Sequence, residues 1–226
     1  MKKLQVAVLA GALAAASSAS ASVTLELVSV GQPGQNDPQT VTLNAGSPVN
    51  INESGVEAGF YNLLVNNVAT PSFCIDIATD QIEGQTYLDY NYTPLANAPT
   101  DAAGPMGAAA AANIGKLWAA YYSQASQSSV NAAALQVAIW EVVAAGAGYT
   151  LTVSGNSSVT SQATAWYNSL STLTAEADLI ALTDSGQAYV VPVPEAATLL
   201  AGALLLLPLG ASALRILRRD HMGSIC

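Results

Sequence analysis

The sequence predicts an α+β domain, a β-rich sandwich- or barrel-like body with a helical insertion, followed by a single C-terminal transmembrane helix. Three observations carry this. Alternating apolar and polar residues, punctuated by Gly, Pro and Asn, fill residues 23–92. An Ala-rich stretch with apolar residues at helical spacing begins at residue 108. Residues 196–214 form a 19-residue run without a charge, and about 20 apolar residues span a bilayer as a helix.

Taken in order, residues 1–21 read as a secretory signal peptide. Lys2 and Lys3 form its positive end, 4–16 its apolar stretch, and Ala19-Ser20-Ala21 a small-x-small cleavage pattern. Signal peptidase is therefore expected to release a chain starting at Ser22. Val23, Leu25 and Leu27 then alternate with Thr24, Glu26 and Val28. Val41 and Leu43, and next Val49 and Ile51, make shorter alternations. Residues 60–66 and 73–77 are apolar runs of strand length, and 87–92 alternates aromatic and polar side chains. A Pro/Gly/Ala/Asp linker, 97–107, marks the change to helix. The first helix is expected over 108–123, with Ile114, Leu117, Trp118 and Tyr121 at helical spacing. A second is expected over 130–145, with Leu135, Ile139 and Val142 on one face. Ser129 or Asn131 could cap it, and Gly146 and Gly148 stop it. Residues 149–153 return to strand, 160–182 predict a third helix through Trp166, Leu170, Leu173 and Leu179, and 188–193 close the sheet or lead into the membrane. The organisation is thus 1–21 signal peptide, 22–190 surface domain, 191–219 membrane and sorting segment, and 220–226 short tail.

Charge narrows the function. From Ser22 to Pro194 the chain has 13 acids and one base, Lys116. A segment this acidic repels nucleic-acid phosphates and anionic membrane surfaces. The sole His is His221 and the two Cys are Cys74 and Cys226. The domain therefore has no Ser-His-Asp or Cys-His unit, no His-ligated zinc and no internal disulfide. An enzyme that turns over substrate is not expected, since the usual general base is missing. No cofactor or metal is expected either. Asp76, Asp80 and Glu83 match no calcium-loop spacing and read as a solvated acidic face.

Beyond the domain stand Pro192, Pro194 and Glu195, then the apolar run, then Arg215, Arg218 and Arg219. Arginines after a span place that end in the cytoplasm. A Pro-Glu motif, one apolar span and a terminal Arg cluster resemble the PEP-CTERM sorting signal of Gram-negative bacteria, over residues 191–219. Ala196 stands where that signal has its second Pro. The resemblance implies processing by an exosortase-like membrane protease and delivery to the cell surface, envelope or extracellular matrix.

The chemistry rests on Cys74 and Gln136. Cys74 lies in Phe73-Cys74-Ile75-Asp76, and Gln136 in Leu135-Gln136-Val137-Ala138-Ile139-Trp140-Glu141. With apolar residues on both faces of that helix, Gln136 is buried, and a buried amide without partners costs roughly 1–3 kcal/mol. These two segments resemble those of the internal-thioester domains of bacterial surface adhesins, over about 59–145. There a strand Cys, in a Tyr-Cys-Ile-Asp-like context, bonds to a Gln in a Thr-Gln-x-Ala-Ile-Trp-like segment. The resemblance assigns Cys74 and Gln136 to the thioester; Leu135 replaces the usual Thr. Asp76, Trp140 and Glu141 are candidate supporting residues. A thioester is opened by amines, which suggests covalent or adhesive attachment to an amine-bearing surface or matrix partner. A domain with one Lys offers little to react with itself. The alternative is a structural surface or matrix protein in which Cys74 and Gln136 only pack.

Overall fold

The computed structural model describes residues 22–102, 104–184 and 186–194. The expected signal peptide and membrane run, with Glu195, Arg215, Arg218 and Arg219, lie outside the described residues. Among the described residues nine strands form, β1 (Val23–Gly31), β2 (Gln39–Ala45), β3 (Asn52–Ala58), β4 (Phe60–Val65), β5 (Val68–Cys74), β6 (Thr86–Pro94), β7 (Leu151–Gly155), β8 (Leu179–Thr183) and β9 (Tyr189–Pro192). Three α-helices, α1 (Ala108–Ala125), α2 (Ser129–Ala147) and α3 (Ser157–Ser169), lie between β6 and β8.

Six strands close into an antiparallel barrel in the order β1-β4-β5-β9-β8-β6, and β3-β2-β7 form a separate sheet. Closure removes the unpaired edges that an open sheet would present. The alternation of β1 is seen directly: Val23, Leu25 and Leu27 are buried while Val28 is exposed. The β4–β5 hairpin turns on Asn66 and Asn67, both left-handed (φ 50° and 63°), with Val65 opposite Val68. Two left-handed central residues give the turn whose twist matches the strands, and Asn tolerates that conformation.

The expected barrel-like body with a helical insertion is therefore present, and so are the first two helices. Several boundaries differ. The cap of α2 is Ser128, whose hydroxyl accepts from the Asn131 amide at 3.2 Å, and the helix ends at Gly148 in the left-handed conformation (φ 79°). Val49 and Ile51 belong to the turn before β3 rather than to a strand. The helix expected over 160–182 begins at Ser157, capped by Asn156, and stops at Ser169. Leu179 instead starts β8, which pairs with β6 on one side and β9 on the other. Without β8 the barrel would stay open, so strand pairing outweighs the helical spacing of the leucines.

α2 is the organising element. Residues 132–140 are all buried, as expected of a helix apolar on every face. By length and composition α2 could cross a bilayer, yet it packs between α1 and α3 and against β5. Each fully buried large apolar side chain on it contributes ~1.5–3 kcal/mol. Strand alternation then separates two aromatic groups. Phe60 and Phe73 (ring centroids 4.4 Å apart) turn toward Trp118 and Tyr122 of α1. Tyr61, the residue after Phe60, turns instead toward Tyr189, at 5.5 Å.

Candidate functional site

Cys74 is the last residue of β5 and stands opposite Tyr189 of β9. The strand expected to run to Ile77 stops here, so Asp76 lies in the following loop and does not share a strand face with the thiol. β5 pairs with β4 only as far as Ser72 opposite Tyr61. The peptide groups of Cys74 that face that side have lost their strand neighbour. Gln136 supplies it: its Oε1 accepts from the Cys74 amide at 2.8 Å and its Nε2 donates to the Cys74 carbonyl at 2.8 Å. Both residues are fully buried. A side-chain amide from α2 thus completes the sheet where the backbone cannot, satisfying buried groups that are costly to leave unpaired.

The sulfur has different partners. The Cys74 thiol donates to the Asp76 carbonyl at 2.7 Å, and the Asp76 amide lies 3.4 Å from it. Gln187, just before β9, donates its Nε2 to Cys74 Sγ at 3.0 Å. Its own Oε1 accepts from the Tyr189 hydroxyl at 2.7 Å, and its backbone carbonyl accepts from the Tyr90 hydroxyl at 2.5 Å. The Tyr189 oxygen is also 2.7 Å from Gln81 Oε1, and Gln81 Nε2 in turn donates to Tyr90. The Gln187 side chain is therefore gripped at both ends, with 3% of its surface exposed. The indole nitrogen of Trp140 is buried and meets no acceptor at hydrogen-bonding geometry among the described residues. It is nonetheless close enough to the sulfur to favour the thiolate.

Burial pushes the Cys74 thiol up to about 12; the Asp76 carboxylate adds to this, while the Asp76 backbone, Trp140 and Gln187 oppose it. Burial also raises Tyr189, with the Cys74 charge contributing, and raises Tyr61 well above the usual phenol range. The tyrosines are thus neutral hydroxyl donors, and the sulfur carries its proton.

The other expected residues take distinct places. The Asp76 carboxyl accepts from the Ala78 amide at 3.0 Å and the Thr79 hydroxyl at 2.8 Å, holding the loop after the Cys. Burial first, and then Asp101 beside it, raise Asp76 to about 7. Asp101 in turn accepts from the Ile77 amide at 3.2 Å and the Tyr149 hydroxyl at 3.2 Å. Glu141 lines a cavity with Tyr149 and Tyr167, and burial raises its pKa. Pro192 ends β9 opposite Leu179, and Pro194 is the last described residue. Among the described residues no group of three or more His, Cys, Asp or Glu could hold a metal.

The structure therefore brings Cys74 and Gln136 together, but through the backbone of the Cys. The carboxamide at the sulfur belongs to Gln187, which the sequence reading does not single out. Its signal is a lone amide between Gly186 and the apolar run Ala188-Tyr189-Val190-Val191. A polar side chain entering a buried strand needs partners in the same way as Gln136 in its helix. Comparisons with protein-family models, curated proteins and solved structures returned no match to this chain.

Proposed function

We propose that the chain is an exported surface protein, sorted through its C-terminal segment, whose domain forms an internal thioester and attaches to amine-bearing partners. The acyl partner of Cys74 in this proposal is Gln187 rather than Gln136. One observation carries the choice: the Gln187 carboxamide nitrogen sits 3.0 Å from Cys74 Sγ while Tyr189 holds the carbonyl oxygen at 2.7 Å. Both atoms of the Gln136 amide are engaged by the Cys74 peptide groups, so its carbon could reach the sulfur only by breaking both bonds.

The chemistry balances without an external acid or base. Sulfur adds to the Gln187 carbonyl carbon, the carbon–nitrogen bond breaks, and the thiol proton departs on the nitrogen as ammonia. A thiol this reluctant to ionise is a weak nucleophile in solution. Here it faces one carbonyl held in place, and fixed geometry can supply about 7–11 kcal/mol of such a barrier. The Tyr189 hydroxyl would donate to Oε1 as negative charge grows there. Trp140 leaves a buried N–H available beside the sulfur. Once formed, the bond is shielded: Cys74 is fully buried, and a thiolate of high pKa leaves slowly. Water opens such a bond less readily than an amine held against it. The processing enzymes follow from the end segments, which suggest signal peptidase at 19–21 and an exosortase-like protease near 192–195.

The test is peptide-resolved mass spectrometry of the full mature chain. A thioester predicts a mass lower by one ammonia and a crosslink between the Cys74 and Gln187 peptides. Methylamine should then release the thiol and leave a methylamide on Gln187. A free Cys74 thiol with both amides intact, in freshly folded protein, leaves the structural reading in its place. A methylamide on Gln136 returns the acyl role to the helix.

A further inference from the structure

We infer that the cavity above Gln187 is the route by which a cationic primary amine, such as a lysine side chain or a polyamine, reaches the bond, and that Glu57, Asp80 and Glu83 select it. This rests on the thioester reading above. A cavity of about 380 Å³ opens between the β3 strand and the loop before β6. Tyr61, Gln81 and Gln187 line it, and Gln187, almost completely buried, lies at its inner end. The sulfur itself is sealed behind it. A nucleophile in the cavity would meet the Gln187 carbonyl carbon, and the sulfur would leave toward the core.

The walls say which nucleophile. Glu53, Glu57, Asp80 and Glu83 border the cavity, and among the described residues no Lys or Arg does. Lys116 is the single base from Ser22 to Pro194 and sits on α1. Among the described residues these carboxylates therefore have no basic side chain among them, and burial first, then Glu83, raise Glu57. Like charges gathered at the mouth of a cavity concentrate cations there and repel anions. The space suits the unbranched four-carbon stem of a lysine, whose ammonium is a compact point charge. The same acids exclude acidic and phosphorylated surfaces from the electrophile.

The step balances. The ammonium gives one proton to water through the rim carboxylates. The amine nitrogen bonds to the carbonyl carbon, the carbon–sulfur bond breaks, and a second nitrogen proton passes to the sulfur. The products are a substituted amide on Gln187 and a Cys74 thiol.

The test uses the full mature chain and two probes, cadaverine as the dication and hydroxylamine, which is neutral at neutral pH. Adduct formation is followed by intact mass, and the same spectra report the missing ammonia before any probe is added. The ratio of cadaverine to hydroxylamine rates is compared between wild type and the combined variant Glu57→Gln, Asp80→Asn, Glu83→Gln. All three positions are exposed, so the fold has little stake in their charge. The ratio is expected to fall at least about tenfold in the variant. Raising salt should lower it in wild type far more than in the variant. An unchanged ratio, with the ammonia deficit present, overturns the selection role and leaves the thioester standing. Absence of the deficit from wild type removes the thioester and this proposal with it.

Discussion

Two glutamines reach the same cysteine from opposite parts of the molecule. Gln136 comes from the middle of α2 and pairs with the Cys74 backbone at 2.8 Å through both amide atoms. Gln187 comes from the segment entering β9 and hydrogen-bonds the sulfur of that residue, at 3.0 Å. Both are buried, and both satisfy the rule that an interior amide must be paired. What differs is which atoms they satisfy. A side chain that bonds a peptide group fixes where the cysteine is. One whose nitrogen lies against the thiol is placed to be attacked by it. Burial alone cannot separate these roles, since each glutamine is a buried amide beside apolar neighbours.

Replacing each in turn breaks the comparison most sharply. Gln187→Ala should abolish both the ammonia deficit and methylamine uptake. Gln136→Ala should leave some thioester but destabilise the fold. It strands a buried N–H and a buried C=O, each worth ~1–3 kcal/mol, so urea unfolding should show a loss of about 2–6 kcal/mol. If Gln136→Ala abolishes the deficit while folding normally, and Gln187→Ala retains it, the two roles are reversed.

The Tyr189 hydroxyl gives a smaller effect on the same contrast. It bonds the oxygen of Gln187 and not that of Gln136. Tyr189→Phe keeps the ring that packs near Tyr61 and Tyr90. Loss of one donor to a developing oxyanion typically slows a reaction about 10²–10³-fold. Methylamine opening should slow by about that factor, and unfolding midpoints should move little by comparison. An unaltered opening rate would show that the carbonyl is activated from elsewhere.

The contrast also marks how far sequence reading reached. Alternation in β1 and the helical spacing of Ile114, Leu117, Trp118 and Tyr121 located their elements because local pattern and tertiary role agree there. The Cys segment and the Gln136 segment stood out because each carries a polar or reactive residue in a run long enough to classify. β8 was hidden: Leu170, Leu173 and Leu179 repeat at a helix-compatible interval, and only pairing with β6 and β9 decides otherwise. Gln187 was hidden for a related reason. It lies 113 residues from Cys74 along the chain, and β5 and β9 become neighbours only on barrel closure. The acidic cavity has the same origin, since Glu57 and Glu83 look like solvated surface until β3 and the loop before β6 are set side by side.

The smallest expected effect concerns the loop that follows the cysteine. Asp76 is held at about 7 by burial and by Asp101, against roughly 3.9 for an unfolded Asp. Between those values the folded chain binds the extra proton, so stability falls as pH rises through the window from about 4 to about 7. The contribution is complete below it and gone above it. Burial moves Glu141 and Glu57 in the same direction, which adds to the slope. Denaturant midpoints should therefore be higher near pH 5 than near pH 8. Asp76→Asn keeps an acceptor for the Ala78 amide and offers Asp101 a donor at every pH. It should raise the midpoint near pH 8 and flatten the profile without removing the ammonia deficit, because the thiol meets only the backbone of this residue. A variant that flattened the profile and also lost the bond would mean that the carboxyl acts on the sulfur directly, and the division between positioning and reacting groups around Cys74 would have to be redrawn.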